Sequence, residues 1–316
     1  MVKFKNFTGY SEFFILPEHP VLMPVLQPEQ QNDLVAVEGT ANNTAHYINF
    51  SLALSKSRGF PYYVATNIDG NLFKKASRSD NWRKDPRIAS EYQWGEELYK
   101  ARKSDFDKGH MVKREDVQWG KTVLEARNAA DTTFYFTNAV PQHAALNQQV
   151  WAELENYILH TESVPQHLRI AVFTGPVLRS TDPVFVTKVL GKDVQLPTLF
   201  WKVVVFAKES KQLYRVGFLM GQEQLLSLAK IVEPTPAELR LTATELFTDF
   251  EDAETYQVNI TTIESLTRLT FPKAEDAYQD NRPIKLVLEE VEIPVSENSR
   301  SRAINHLGYR ISNLIA

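Results

Sequence analysis

The chain has 316 residues, 35 Lys and Arg against 39 Asp and Glu, a formal net charge of −4 at pH 7 and no cysteine. The lack of cysteine excludes disulfides and thiolate metal sites. No apolar run reaches the roughly eighteen residues of a membrane span, so no membrane partner is expected. Gly9, Ser11 and Glu12 break up any secretory signal, which leads us to expect a cytoplasmic location, with leaderless delivery also open.

Pro17, Pro20, Pro24 and Pro28 forbid a long helix near the N-terminus and predict an extended arm lying on the main body. Tyr47 to Leu54 and Tyr62 to Thr66 read as strands. Asn67-Ile-Asp-Gly70 reads as a strong turn, because Asp-Gly tolerates positive φ. Residues 71–107 are polar and irregular, with a short helix expected near 91–103. Thr132 to Thr137 reads as a strand. Asn147 to His160 reads as a helix with Val150, Leu154 and Ile158 on one face. Strands are expected at Arg169 to Phe173, Val184 to Thr187, Thr198 to Phe206 and Tyr214 to Met220. Helices are expected at Gln222 to Ile231, Thr242 to Phe250 and Thr261 to Leu269. In the last forty residues, Ile304, Leu307, Tyr309, Ile311 and Leu314 are candidate packing positions. Strands and helices intermix without strict βαβ alternation, which predicts an α+β fold with a central, mainly antiparallel sheet flanked by helices.

Charge is unevenly spread. From Lys74 to Arg114 there are twelve Lys and Arg against seven Asp and Glu. The acidic excess lies at Glu233–Glu254 and Glu289–Glu297. A basic stretch of this kind suits phosphate, although it is equally a solvated face.

Within that stretch stands Asp107-Lys-Gly-His110-Met111. A neutral imidazole can take a proton from water near neutral pH, and Lys108 beside it would favour phosphate and keep the ring neutral. Alone, Gly-His is also the signature of a turn with a surface histidine. Further on come Thr137-Asn138-Ala-Val-Pro141-Gln142 and then Asn147, Trp151 and Glu155. An Asn carbonyl is a hard oxygen donor suited to Mg²⁺. Asn147 is equally a helix N-cap, and Glu155 equally a solvated helix residue. Eight residues of regular helix rise about 12 Å, too far for Asn147 and Glu155 to ligate one ion directly.

Taken together, these segments resemble the DNA/RNA non-specific endonuclease family of the ββα-metal superfamily, to which endonuclease G belongs. The family's hallmark is Asp-Arg-Gly-His, then a strand ending in Asn with Pro-Gln nearby, then Asn-x7-Glu on a helix with Trp between. Arg78-Ser-Asp-Asn-Trp82-Arg83, Thr174-Gly-Pro-Val177, Pro197 to Lys202 and Tyr256 to Phe271 look like further family elements, so the resemblance covers roughly residues 45–273.

The resemblance implies an endonuclease domain over 41–275, with an N-terminal arm over 1–40 and a C-terminal extension over 276–316. It implies hydrolysis of DNA and RNA with Mg²⁺, for which Mn²⁺ can substitute. Residue by residue, His110 matches the general base. Asn147 matches the direct metal ligand, and Glu155 matches the residue that holds a water of the ion. Asn138 matches the asparagine that positions the site. Arg78 matches the arginine that meets the transition-state phosphate, with Arg83 as rival. Lys108, Arg83 and Arg114 are expected to bind nucleic acid. Lys108 stands where the family has Arg, which keeps the charge and loses the bidentate fork.

A homodimer and an inhibitor or activator protein are expected partners. A nuclease without a leader endangers its own cytoplasm, so a bacterial defence effector or a delivered toxin fits the expectation. The alternatives are a module that binds nucleic acid without cutting it and a hydrolase of another phosphodiester.

Overall fold

The computed structural model describes residues 7–234, 250–293 and 306–316. The strands in chain order are β1 (Thr44–His46), β2 (Phe50–Leu54), β3 (Pro61–Asp69), β4 (Asp107–His110), β5 (Ala139–Gln142), β6 (Arg169–Pro176), β7 (Leu199–Ala207), β8 (Leu213–Gly221), β9 (Tyr256–Val258), β10 (Glu275–Asp276), β11 (Ile284–Lys285), β12 (Leu288–Ile293) and β13 (His306–Ile311). The helices are α1 (Pro28–Asn32), α2 (Glu96–Tyr99), α3 (Val123–Thr132), α4 (Trp151–Asn156), α5 (Glu223–Leu228) and α6 (Ile260–Thr267). Wider π turns, Leu146–Val150 and Tyr157–Ser163, extend α4 at both ends.

The main sheet runs β1-β2-β3-β6-β7-β8-β9-β11, with β10 beside β8. All its pairings are antiparallel except that of β10 with β8. Side chains alternate across a strand, so the central strands feed two apolar cores. One core takes Leu52, Val64, Val172 and Val204 from the sheet and packs them on Leu146, Trp151, Leu154 and Ile158. The other takes Ala53, Tyr63, Phe173 and Val203 and packs them on Tyr10, Phe14 and Val21 of the arm and on Ile260 and Ile263 of α6. Tyr10, Phe14 and Val21 therefore lie on the body, and α4 and α6 cover opposite faces. β12 and β13 form a separate pair. This pair meets the end of the α4 segment where the Thr161 hydroxyl donates to the Tyr309 carbonyl at 2.7 Å.

Three local expectations need correction. Residues 67–69 continue β3 in register with β6 rather than turning. Gly70 is needed for a different reason than positive φ: a Cβ there would stand 1.9 Å from the Ser163 carbonyl oxygen at the end of the α4 segment. Thr132 to Thr137 forms no strand. The sequence Thr122-Val-Leu-Glu125 is a capping box that starts α3. The helix ends where the Thr132 and Thr133 hydroxyls donate back to the Ala129 and Ala130 carbonyls. Phe134, Tyr135 and Phe136 then pack inward instead of forming a ladder. Val184 to Thr187 makes isolated bridges to Gln195 and Val232 rather than a strand.

The helix expected at Thr242 to Phe250 falls, except for Phe250, outside the described residues, as does Ile304.

Gly70→Ala is expected to destabilise the protein by about 1–3 kcal/mol, because the new methyl meets main chain that cannot swing away. Urea unfolding of the variant beside the wild type measures this. An unchanged midpoint would contradict the close approach.

Candidate active site

β4 and β5 pair antiparallel over four residues, with Asp107 opposite Gln142 and His110 opposite Ala139. The α4 segment follows directly. Gly109 is required because a Cβ would lie 2.0 Å from the Gln142 side-chain oxygen. Asn138 fixes the far end of the pair. Its Oδ1 accepts from the Val112 N–H at 2.9 Å, and its Nδ2 donates to the Val112 and Thr133 carbonyls, both at 3.0 Å. The amide is fully buried and faces main chain, so Asn138 sets the path of the backbone on either side of the site.

His110 sits at the end of β4 between aromatic rings, 4.6 Å from Trp82 and 5.1 Å from Phe134 between centroids. Its Nε2 is sealed from solvent without a hydrogen-bond partner among the described residues. Burial pushes the imidazole pKa down to about 3, and the charges of Arg78 and Arg114 push the same way against Asp80. The cations that keep the ring neutral are thus Arg78 and Arg114. Lys108 instead pairs with Glu96 at 3.0 Å and lies over the Trp82 ring.

The two candidate arginines differ sharply. Arg83 is tied down: it bonds Asp131 at 2.8 Å and the Asn81 carbonyl at 2.8 Å, and it stacks 4.2 Å from the Tyr135 ring. Arg78 is 67% exposed and holds only Asp80 among the described residues.

A lowered folded value means that His110 stays neutral as pH falls through 6.5, where an ordinary histidine charges. By NMR titration the His110 ring should stay neutral at pH 5 while exposed histidines protonate. A midpoint near 6.5 would contradict the sealed environment.

Asn147 lies inside the first turn, with its N–H donating to the His143 carbonyl at 3.0 Å, so it is not the N-cap. Its Nδ2 donates to Asp107 Oδ2 at 2.9 Å, and Gln148 Nε2 reaches the same oxygen at 2.8 Å. Asn147 Oδ1 has no hydrogen-bond partner among the described residues, and the Asp107 carboxylate stands beside it. No group of three or more His, Asp or Glu side chains able to hold an ion occurs among the described residues. Such a sparse set of hard oxygens fits Mg²⁺, which keeps several of its waters, and does not fit zinc.

Glu155 is not brought to Asn147. Further along the helix it is buried in a charged cluster, 3.4 Å from the equally buried Lys202 ammonium. Lys202 also donates to the Thr174 hydroxyl at 3.1 Å and lies over the Trp151 ring. Asp116 faces this cluster with one buried oxygen unpartnered. Burial, and for Asp116 repulsion from Glu155, raises both carboxyls above their usual range, while Lys202 pulls them down.

Removing one partner of a buried ion pair costs about 3–5 kcal/mol. Lys202→Met is expected to lose about that much at pH 8 and less at pH 5. The folded-state carboxyl pKa values are raised, so the penalty of burying their charge appears only above them. Denaturant titrations at the two pH values test this, and an equal loss at both would contradict it.

The fold thus gathers His110, Arg78 and Arg114 at one end of β4, and Asp107 and Asn147 at the other. It buries Asn138 among main-chain groups and Glu155 against Lys202, and it commits Arg83 and Lys108 to ion pairs. Trp82, Asp107, Asp116 and Lys202 were not picked out as site residues from the sequence. Asp107 was the most accessible of these, because it stands three residues before His110 in a strand whose partner leads straight into the helix.

Two antiparallel strands followed by a helix, set against a mainly antiparallel sheet, form the ββα-metal nuclease fold. The profile of the DNA/RNA non-specific endonuclease family matches residues 30–277, and the chain belongs to that family of metal-dependent nucleases. It is 33% identical over 224 residues to an uncharacterised protein, y4fB, of Sinorhizobium fredii; the match takes in 68% of this chain and 32% of that protein, so the chain spans about a third of that relative's length. It is 27% identical over 226 residues to a nuclease of Nostoc, covering 70% of each. A crystal structure of the EndoG/EndoGI complex contains the same fold, with a TM-score of 0.50 and 19% identity over 72% of this chain and 84% of that one. No helix among the described residues is long and apolar enough to cross a membrane.

Proposed function

We propose that this chain is a Mg²⁺-dependent endonuclease that hydrolyses phosphodiester bonds in both DNA and RNA. The observation that carries this reading is a neutral imidazole, His110, held beside the charges of Arg78 and Arg114 on a strand whose first residue, Asp107, is bonded to Asn147. His110 takes the proton of the attacking water through Nδ1, since its Nε2 is sealed from solvent. The ring is a weak base in the free protein, and an incoming phosphate anion raises its proton affinity toward the useful range. Arg78 meets the charge that develops on the phosphoryl oxygens. Arg114 lies on the same side and adds to phosphate attraction.

Asn147, with Asp107 beside it, would hold the ion, which when bound supplies a Lewis acid at the phosphate. Glu155 is read as the acceptor for a water of that ion, with Lys202 favouring its charged form. Nothing in this set reads a base or needs a 2′-hydroxyl, which supports a sugar-non-specific activity. We assign the activity to residues 41–275, with the arm over 1–40 and the extension over 276–316 as accessory segments. A homodimer and an inhibitor protein belong to the same proposal. The similar fold was crystallised as an EndoG/EndoGI complex, and control of this kind suits a defence effector or a delivered toxin.

The test is cleavage of supercoiled plasmid and of a structured RNA, with Mg²⁺ and with EDTA. His110→Ala should lower kcat by about 100-fold or more, and Arg78→Ala by about 100-fold. Arg83→Ala should act mainly on stability. A folded wild type that does not cut either substrate, or that cuts equally in EDTA, would sink the proposal.

A further inference from the structure

Beside His110 a polar cleft opens between α3 and the segment at residues 77–79, lined by Ser77, Ser79, Arg114, Leu124, Arg127 and Asn128. Phe134 also lines it, and the same ring packs 5.1 Å from the His110 ring, which sets the cleft next to the imidazole. Arg127 is exposed on α3 and makes no ion pair or hydrogen bond among the described residues. By contrast, Arg83, Lys84, Arg87 and Lys108 of the basic stretch are each committed to a carboxylate. Asp131, the acidic residue lining the cleft, is neutralised by Arg83 at 2.8 Å. Arg114 is held by the Ala76 carbonyl at 3.2 Å and by a long contact to Glu115 at 3.4 Å. Burial lowers its pKa, and Arg78 nearby adds to that effect. The cleft therefore presents two guanidinium groups, two serine hydroxyls and a half-buried amide, with its one carboxylate already answered. Leu124, 64% exposed, forms an apolar lip beside them.

We infer that this cleft seats the phosphate next to the scissile one along the nucleotide chain, with Arg127 as its principal cation. The inference rests on the nuclease reading above. Guanidinium forks and hydroxyls match the tetrahedral oxygens of a phosphodiester, and a phosphate contact carries no sequence information. Arg114 lies between the two seats: it acts on His110 on one side and lines the cleft on the other. Leu124 offers an apolar face to whichever base accompanies that phosphate. Arg127 is thus a positioning residue that makes long substrates better than minimal ones.

The experiment compares the wild type, Arg127→Ala and Arg127→Lys. The minimal substrate is thymidine 5′-(p-nitrophenyl) phosphate, with a single phosphodiester, and the long one is a single-stranded oligodeoxynucleotide. Binding of the labelled oligonucleotide in EDTA is followed over a series of salt concentrations.

For Arg127→Ala, the advantage of the oligonucleotide over the minimal substrate in kcat/KM should fall about tenfold, mostly through KM. The slope of log binding against log salt should flatten by about one, as expected for the loss of one phosphate contact. Arg127→Lys should restore most of both. If the wild type cuts and the alanine variant keeps the length advantage and the salt slope, the cleft assignment is overturned while the nuclease reading stands. An equal loss on both substrates overturns it too, because it makes Arg127 part of the general scaffold. If the folded wild type binds without cutting, the nuclease reading fails and the salt slope alone decides the cleft. If it neither cuts nor binds, both fail.

Discussion

The side chain of Asn138 extends the β4–β5 pairing past its end and ties in the chain leaving α3. Its amide takes both main-chain groups of Val112 and the carbonyl of Thr133, in a site closed to water. Broken there, those groups would be left buried and unpaired, which costs more than the bonds themselves. The consequence spreads outward. The chain leaving His110 is locked to the chain entering β5, so β4 and β5 stay in register and the imidazole stays at a fixed height against Trp82 and Phe134. Gln222 does the same at the other end of β5. It donates to the Pro141 and Pro197 carbonyls and accepts from the His143 N–H, which aims the start of the α4 segment.

Behind this frame lies a second constraint. Two carboxylates, Glu155 and Asp116, are buried around the Lys202 ammonium, with Lys113 adding a second positive charge. An apolar cluster of the same volume would be at least as stable. The charged cluster instead fixes the rotation of the helix against β7, because only one rotation puts Glu155 opposite Lys202 and Trp151 beneath it. Asn147 projects from that same helix, so the orientation of its amide toward Asp107 depends on the buried pair two turns away.

Much was legible in the chain. The antiparallel strands announced themselves by β-branched and aromatic runs, and the α4 segment by its four-residue spacing. The spacing of Asp107, His110, Asn138, Asn147 and Glu155 gave the family. Two local signals misled. Asp-Gly at 69–70 looks like a turn, but a glycine is also what a strand end needs when another carbonyl approaches it. Thr-Thr-Phe-Tyr-Phe-Thr looks like a strand, because threonine and aromatics serve a ladder and a helix stop equally well. The capping box at Thr122 and Glu125 would have arbitrated.

Sequence by itself determined the fold class and the identities of the chemical groups, since residue type and order along the chain carry both. It did not determine which charges are free. Twelve cations stand between Lys74 and Arg114, yet several are answered by carboxylates at a distance in sequence: Asp131 for Arg83, Glu97 for Lys84 and Glu96 for Lys108. Only folding sets those distances, and Coulomb attraction is local once water and salt screen the rest. The same holds for His110, whose lowered pKa comes first from burial against rings that the tertiary structure supplies. The order of residues put one imidazole, His110, at the end of β4 and one asparagine, Asn147, at the start of the helix that follows β5. The packing decided that the imidazole is neutral, that Arg78 rather than Arg83 is exposed, and that Glu155 is held by Lys202.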